Sequence, residues 1–223
     1  MVEFRVLGPV EVVRNGVTIA LNRPRLRALL ALLLLHANQV VSSDRIIDAL
    51  WGDDPPQNAA NAVQTTVSRL RKQLVDGDDA VAEMIRTRPP GYVIQLAPDA
   101  LDLARFERFV DQGRAALQAG RPEAASQHLR GALATWRGPA LADVQYAGLL
   151  QRESERLDEE RLTTLELRID ADLACGPHTA LVGELEARVA EHPYRERLRS
   201  QLMLALYRSG RQAEALAAYQ EAR

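Results

Sequence analysis

Apolar and polar positions change their rhythm near Pro98. Before it, short β-type runs and compact helical runs interleave; from Leu101 onward the pattern is helical. Glu3 to Leu7 alternates weakly, Val10 to Val13 is β-rich, and Val17 to Leu21 follows an Asn15-Gly16 hairpin signal. These runs predict a small antiparallel N-terminal sheet. Asn22 is placed to cap the next helix, with Pro24 near its first turn. Its apolar positions, Leu26, Leu29, Leu30, Leu33 and Leu34, lie on most sides, so it is expected to be the central core helix. It ends near Ala37-Asn38, and Val40-Val41 reads as a brief strand or a link. A second helix starts at Ser42-Ser43-Asp44, buries Ile46, Ile47, Leu50 and Trp51, and stops at Gly52.

The most informative stretch is Gln57 to Leu74, entered through a rigid acidic loop, Asp53-Asp54-Pro55-Pro56, and capped near Asn58. At 100° per residue, Val63, Val67, Leu70 and Leu74 form one narrow apolar stripe. Asn61, Thr65, Ser68 and Lys72 lie opposite, with Arg69 beside them; Gln64 and Arg71 flank the stripe, and Thr66 turns toward the core side. The outer face therefore holds amides, hydroxyls and cations but no acid. Amides and arginines read base edges, while hydroxyls and lysine hold phosphates. A solvated surface helix is the competing reading, although such helices usually mix Glu with Lys at i, i+4, and this one has no Glu.

After an acidic break around Gly77 (Asp76, Asp78, Asp79), Met84 to Thr87 reads as a strand, Arg88-Pro89-Pro90-Gly91 as a turn, and Tyr92 to Leu96 as the returning strand. Pro90-Gly91 is expected as the central pair of a type II turn. Arg86 and Arg88 lie close to the hairpin tip, where a wing would reach the minor groove or the backbone. Sheet, three helices and hairpin together predict a winged helix-turn-helix over residues 1–97.

Residues 98–223 read as a tetratricopeptide-like helical repeat domain. Gly120, Arg121, Ala125, Leu129 and Ala132 recur as Gly210, Arg211, Ala215, Tyr219 and Ala222, each displaced by 90 residues. Between the copies lie a charged helix, Leu149 to Ala174, and two further helices, Thr179 to Glu191 and Pro193 to Ser209, with Pro193 at the start of the latter. Such a module presents a surface to another protein or serves as a dimerising or packing unit.

Composition adjusts this picture in two ways. Hydrophobic residues make up 47% and charged residues 26% of 223, so the chain is globular. Net charge is −2, and residues 1–97 carry 11 Lys+Arg against 10 Asp+Glu. Nucleic-acid binding must therefore rest on where charge is placed, not on a basic domain. The single cysteine, Cys175, excludes a disulfide framework and a cysteine-based metal site. The longest apolar run, Ala28 to Leu35, is too short to span a membrane, and no signal peptide is read at the N-terminus. His36, His128, His178 and His192 are scattered, and the glycines form neither a phosphate loop nor a dinucleotide fingerprint. Glu153 to Arg161 is explained by helix-surface ion pairs. No enzyme, cofactor or metal is expected.

At this point the chain resembles the Streptomyces antibiotic regulatory protein family of transcriptional activators. The resemblance rests on FRVLGPVEV (4–12), RPRLRALLALLLLHAN (23–38), LWGDDPPQNAANAVQTTVSRLRKQL (50–74), RPPGYVIQL (88–96) and the segment from His192 to Arg223. It implies a winged helix of the response-regulator effector type (1–97) followed by a bacterial transcriptional activation domain (98–223). It implies a cytoplasmic, nucleoid-associated activator of secondary-metabolite (antibiotic) genes, with double-stranded promoter DNA as one partner. Binding is to direct repeats, head-to-tail, as a dimer on DNA. RNA polymerase holoenzyme is the second partner, through a sigma factor and core subunits, with no membrane involved. The loop Asp53 to Pro56 is either a polymerase contact or a rigid spacer. DNA contacts are expected from Asn61, Gln64, Thr65, Ser68, Arg69, Arg71 and Lys72 on the helix, from Arg86, Arg88 and Tyr92 on the hairpin, and from Arg25. Family members usually continue past Gln220, so the helical module is expected to be truncated here. A protein-interaction adaptor without DNA binding is the alternative function, favoured by the near-neutral charge of residues 1–97.

Overall fold

The computed structural model describes residues 2–75, 83–144, 148–176 and 178–221; the expected acidic break around Gly77 and the repeat position Ala222 lie outside them. The chain forms two compact units. The first comprises Met1–Glu107 and Ala134–Glu160, the second Arg108–Leu133 and Arg161–Arg223.

The first unit opens with β1 (Val2–Arg5), β2 (Glu11–Arg14) and β3 (Val17–Ile19), an antiparallel sheet in that order. Phe4 pairs with Val12 and Val12 with Ile19, which aligns their side chains on the buried face. Asn15 and Gly16 both take positive φ, as a two-residue hairpin of this twist requires. Helix α1 (Pro24–Leu35) follows, with every residue from Ala28 to Leu34 buried. Its N-cap is Arg23, not the expected Asn22, and no side chain caps it. The reason is Pro24 at the first helical position: it holds the preceding residue extended, so Arg23 takes the cap geometry.

Strand β4 (Val41–Ser42) leads into α2 (Ser43–Trp51), where the Ser42 side chain accepts from the Arg45 amide. Then comes α3 (Ala59–Val75), whose first turn is closed by Asn58 Oδ1 accepting from Asn61 N at 3.1 Å. Val63, Val67, Leu70 and Leu74 are all buried. β5 (Ile85–Arg88) and β6 (Gly91–Ile94) complete a second sheet in the order β4-β6-β5. The hairpin differs from the expected type II turn. Arg88 pairs with Gly91, so Pro89-Pro90 is the loop, joined by a cis peptide, and Gly91 begins the returning strand. Gly91 is needed for a different reason: a Cβ there would lie 1.9 Å from the Val41 carbonyl oxygen across the β4–β6 pair.

Residues 134–160, read with the second domain, belong to the first compact unit, and Arg137, Leu141 and Asp143 of this segment bond the loop before β2. The loop before β2 is polar on its backbone, and this segment satisfies it. Arg137 N donates to Leu7 O at 2.8 Å, Leu141 N to Val6 O at 3.0 Å, and Val10 N to Asp143 Oδ1 at 2.8 Å. Trp136 stands edge-on to Phe106, with ring centroids 5.4 Å apart. Asp102, 1% exposed, accepts from the amides of Val6, Leu7 and Leu103.

The second unit holds the distal part of α4 (Asp102–Gln118), α5 (Pro122–Leu133), the later part of α6 (Leu149–Cys175), α7 (Thr179–Glu191), α8 (Glu196–Arg208) and α9 (Gln212–Glu221). α8 starts at Glu196, three residues after Pro193, with Arg195 as its N-cap. The 90-residue repeat is reproduced in the backbone. Arg121 N donates to Ala116 O, and Arg211 N to Leu206 O, both at 2.9 Å; Gly120 and Gly210 each turn the chain at positive φ. Leu165, Ile169, Leu185, Leu198 and Leu202 form the main apolar core. Around it runs a buried polar network: Arg168, 4% exposed, binds Asp172 and Glu184, and Asp172 also accepts from Ser126 and Arg130.

Two stability measurements check this account. Replacing Asp102 by Ala leaves the amides of Val6, Leu7 and Leu103 without their acceptor, and is expected to cost about 3 kcal/mol by urea denaturation. Glu3 is held down to about 2 from a usual 4.5, first by hydrogen bonding from Arg5 and then from Arg105. A depressed acid stabilises the fold above its unfolded pKa and loses that contribution as pH falls through the folded one. Stability is therefore expected to drop between about pH 4.5 and 2, and Glu3→Gln to flatten the titration in that window.

Candidate nucleic-acid interface

The orientation of α3 is set from inside. Its four-residue stripe is buried at 0–1% exposure, and α1, α2 and α3 pack on one another, so the helix cannot roll without exposing Leu70 or Leu74. At roughly 2 kcal/mol per buried leucine, that constraint outweighs any preference of the outer side chains. What it leaves outside is Asn61, Gln64, Thr65, Ser68, Arg69 and Lys72, all exposed. Thr66 faces inward at 8% exposure and donates its hydroxyl to Ala62 O at 2.7 Å.

The outer face has no carboxylate of its own, since α3 contains neither Asp nor Glu. Among the described residues, Arg69, Lys72, Arg86 and Arg88 meet no carboxylate partner. In the helical unit the contrast is plain: Arg168, Arg195, Arg197 and Arg211 each bind an acid within hydrogen-bond reach. Cations that meet no carboxylate among the described residues are available to neutralise phosphates. Arg86 and Arg88 lie exposed on β5, with Thr87 exposed between them. Arg86 Nε makes only a long contact, 3.4 Å, to the Glu83 carbonyl.

Three of the expected contact residues stand differently. Tyr92 is 7% exposed and pairs in register with Val41 on one side and Thr87 on the other, so it belongs to the core of the second sheet. All four residues of β6 are buried, with β4 paired on one edge and β5 on the other. Arg71 is half-buried, and its guanidinium bonds the hairpin: Nε to Ile85 O at 3.0 Å and Nη2 to Thr87 Oγ1 at 3.2 Å. Arg25 is exposed on α1 and lies over Trp51 at the end of α2, 5.6 Å from the ring centroid.

Two residues with a part in this geometry escaped the sequence reading. Gln73 ties α3 to the chain after β3, its Nε2 donating to Ala20 O at 2.6 Å. Thr87 receives Arg71. The Arg86-Thr87-Arg88 run was a signal for Thr87; nothing in the sequence marked Gln73.

Residues 18–94 match the family model described as "Transcriptional regulatory protein, C terminal", and residues 101–223 match "Bacterial transcriptional activator domain". The chain is 48% identical over 223 residues to Regulatory protein AfsR of Streptomyces coelicolor, covering 99% of this chain and 22% of that protein. It is 36% identical over 222 residues to Regulatory protein DnrI of Streptomyces peucetius, covering 97% of this chain and 82% of that one. A solved structure of Mycobacterium tuberculosis EmbR in complex with a low-affinity phosphopeptide aligns with a TM-score of 0.93 and 37% identity, over 99% of this chain and 58% of that chain. The chain thus spans 22% of AfsR and 56% of the EmbR sequence it matches. A winged-helix domain of this type joined to a helical activator domain, matched over nearly the whole chain by these regulators, places it: the chain belongs to the Streptomyces antibiotic regulatory protein family of transcriptional regulators.

Proposed function

We propose that this chain is a sequence-specific DNA-binding transcriptional activator. In this reading residues 1–97 recognise promoter DNA, α3 enters the major groove, and the β5–β6 wing lies on the minor groove or backbone. Asn61, Gln64 and Arg69 read base edges; Thr65, Ser68 and Lys72 hold phosphates, and Arg86 and Arg88 add wing contacts. The helical repeats of residues 98–223 present the surface that recruits RNA polymerase holoenzyme. Two copies bind direct repeats head-to-tail upstream of secondary-metabolite genes, in the cytoplasm at the nucleoid. The observation that carries this reading is the acid-free outer face of α3 beside wing cations that, among the described residues, meet no carboxylate.

A specific observation favours a second reading. Residues 1–97 are nearly neutral, which suits an adaptor that binds protein and not DNA. A gel shift at low salt separates the two: the activator reading expects a complex whose affinity falls linearly with log salt, the adaptor reading no complex with folded protein.

The two kinds of contact are expected to respond differently to mutation. Arg69→Ala should cost about 1–3 kcal/mol on the preferred site and relax its sequence preference. Lys72→Ala should weaken all sequences alike and lower the salt slope by about 0.9. Titrations against a panel of site variants at several salt concentrations check both. Unchanged affinity and specificity in Arg69→Ala would remove that residue from the reading face.

A further inference from the structure

Arg71 is set apart from the other cations of α3. Arg69 and Lys72 project from the exposed face, whereas the Arg71 guanidinium is turned onto β5. It grips two residues of that strand, Ile85 through the backbone carbonyl and Thr87 through the hydroxyl, and these flank Arg86. β5 is the edge of the β4-β6-β5 sheet. Gln95 N donates to Met84 O across the hairpin at 2.8 Å, so by strand alternation the Ile85 carbonyl points to the open side of β5. The edge is thus closed by a side chain from the neighbouring helix. A guanidinium suits this task because Nε and Nη2 donate side by side from one rigid plane; an ammonium offers a single point.

We propose that Arg71 is a positioning residue for DNA recognition: it holds the wing at a fixed offset from α3, so that Arg86 and Arg88 engage the same DNA segment as Arg69 and Lys72. The inference rests on the DNA-binding reading above. Arg71 itself touches no DNA; it acts through the two wing arginines. Gln73, two residues on, anchors the same turn of α3 to Ala20, so this end of the helix is held to a strand-bearing segment on either side.

The test compares Arg71→Met, which keeps bulk and removes the donors, with Arg86→Ala/Arg88→Ala and the triple variant. The probe is a duplex recovered from a random-sequence pool by the wild-type chain. Losing the wing through Arg71→Met should lower the salt slope by about 1.8, two phosphates' worth, and the substitution should add nothing in the Arg86→Ala/Arg88→Ala background. A slope lower by only about 0.9, with a loss that adds in full to that background, would make Arg71 a phosphate contact and overturn the proposal.

A second readout does not involve DNA. Amide hydrogen exchange of β5 and β6 in the free protein should quicken about fivefold or more in Arg71→Met; unchanged exchange also overturns the proposal. Thr87→Val, which deletes only one acceptor, should move both readouts in the same direction by less, and carries the comparison if Arg71→Met does not fold. Should the wild-type chain bind no duplex even at low salt, the DNA-binding reading fails by itself, and the exchange data alone decide whether Arg71 braces the wing.

Discussion

The whole outer face of α3 depends on the burial of α1. Seven consecutive residues of that helix, Ala28 to Leu34, are out of water, so α2, α3 and β6 must all lie against it. A helix buried on every side gives its neighbours no freedom to choose a face. α3 meets it with a stripe only one residue wide at each turn, Val63, Val67, Leu70 and Leu74. Turning α3 by a single position, 100°, would bring Arg71 or Arg69 into that contact and push Leu70 out. The polar face is thus selected by what the inner face cannot give up.

The wing is held by a different kind of force. β4 has two residues and β5 four, and β5 is an edge strand, so pairing alone fixes little. Its placement comes from hydrogen bonds that cross between elements. Asn38 bonds Leu96 through both ends of its amide, Ser43 reaches the Pro90 carbonyl, and Arg71 takes the outer edge of β5. Apolar packing sets the helix and polar contacts set the hairpin, which is why the two parts of one surface respond to different substitutions.

In the helical unit the same division appears in reverse. Its turns are closed alike at Gly120 and Gly210 by backbone bonds that repeat at 90-residue spacing, while a network of charges is buried between helices. Arg168 is nearly inaccessible yet satisfied by two carboxylates, and Asp172 stays low because three donors converge on it, although burial pushes the other way. A guanidinium so placed would be very costly without both partners. Through Arg168, α6 is tied both to its own Asp172 and to Glu184 of α7.

The sequence by itself determined the elements whose cause is local. Periodicity gave the apolar stripe of α3, Ser42 and Asn58 gave the helix starts, and Asn15-Gly16 gave the first hairpin, because each needs only its own neighbours in the chain. It misplaced what depends on distant partners. Tyr92 was expected to contact DNA, and only the folded second sheet shows it buried at the centre, paired with Val41 and Thr87. Gly91 was read as a turn residue, when its constraint is the Val41 carbonyl fifty positions away. Helical rhythm placed Arg137, Leu141 and Asp143 with the second half, and only the fold shows that they satisfy the backbone of residues 6–10. Arg71 was read as flanking the apolar stripe and as one more DNA contact. Only the tertiary structure turned it from the face to the wing, because a guanidinium goes where two acceptors lie in its plane, and those acceptors come from a strand that begins fourteen residues later.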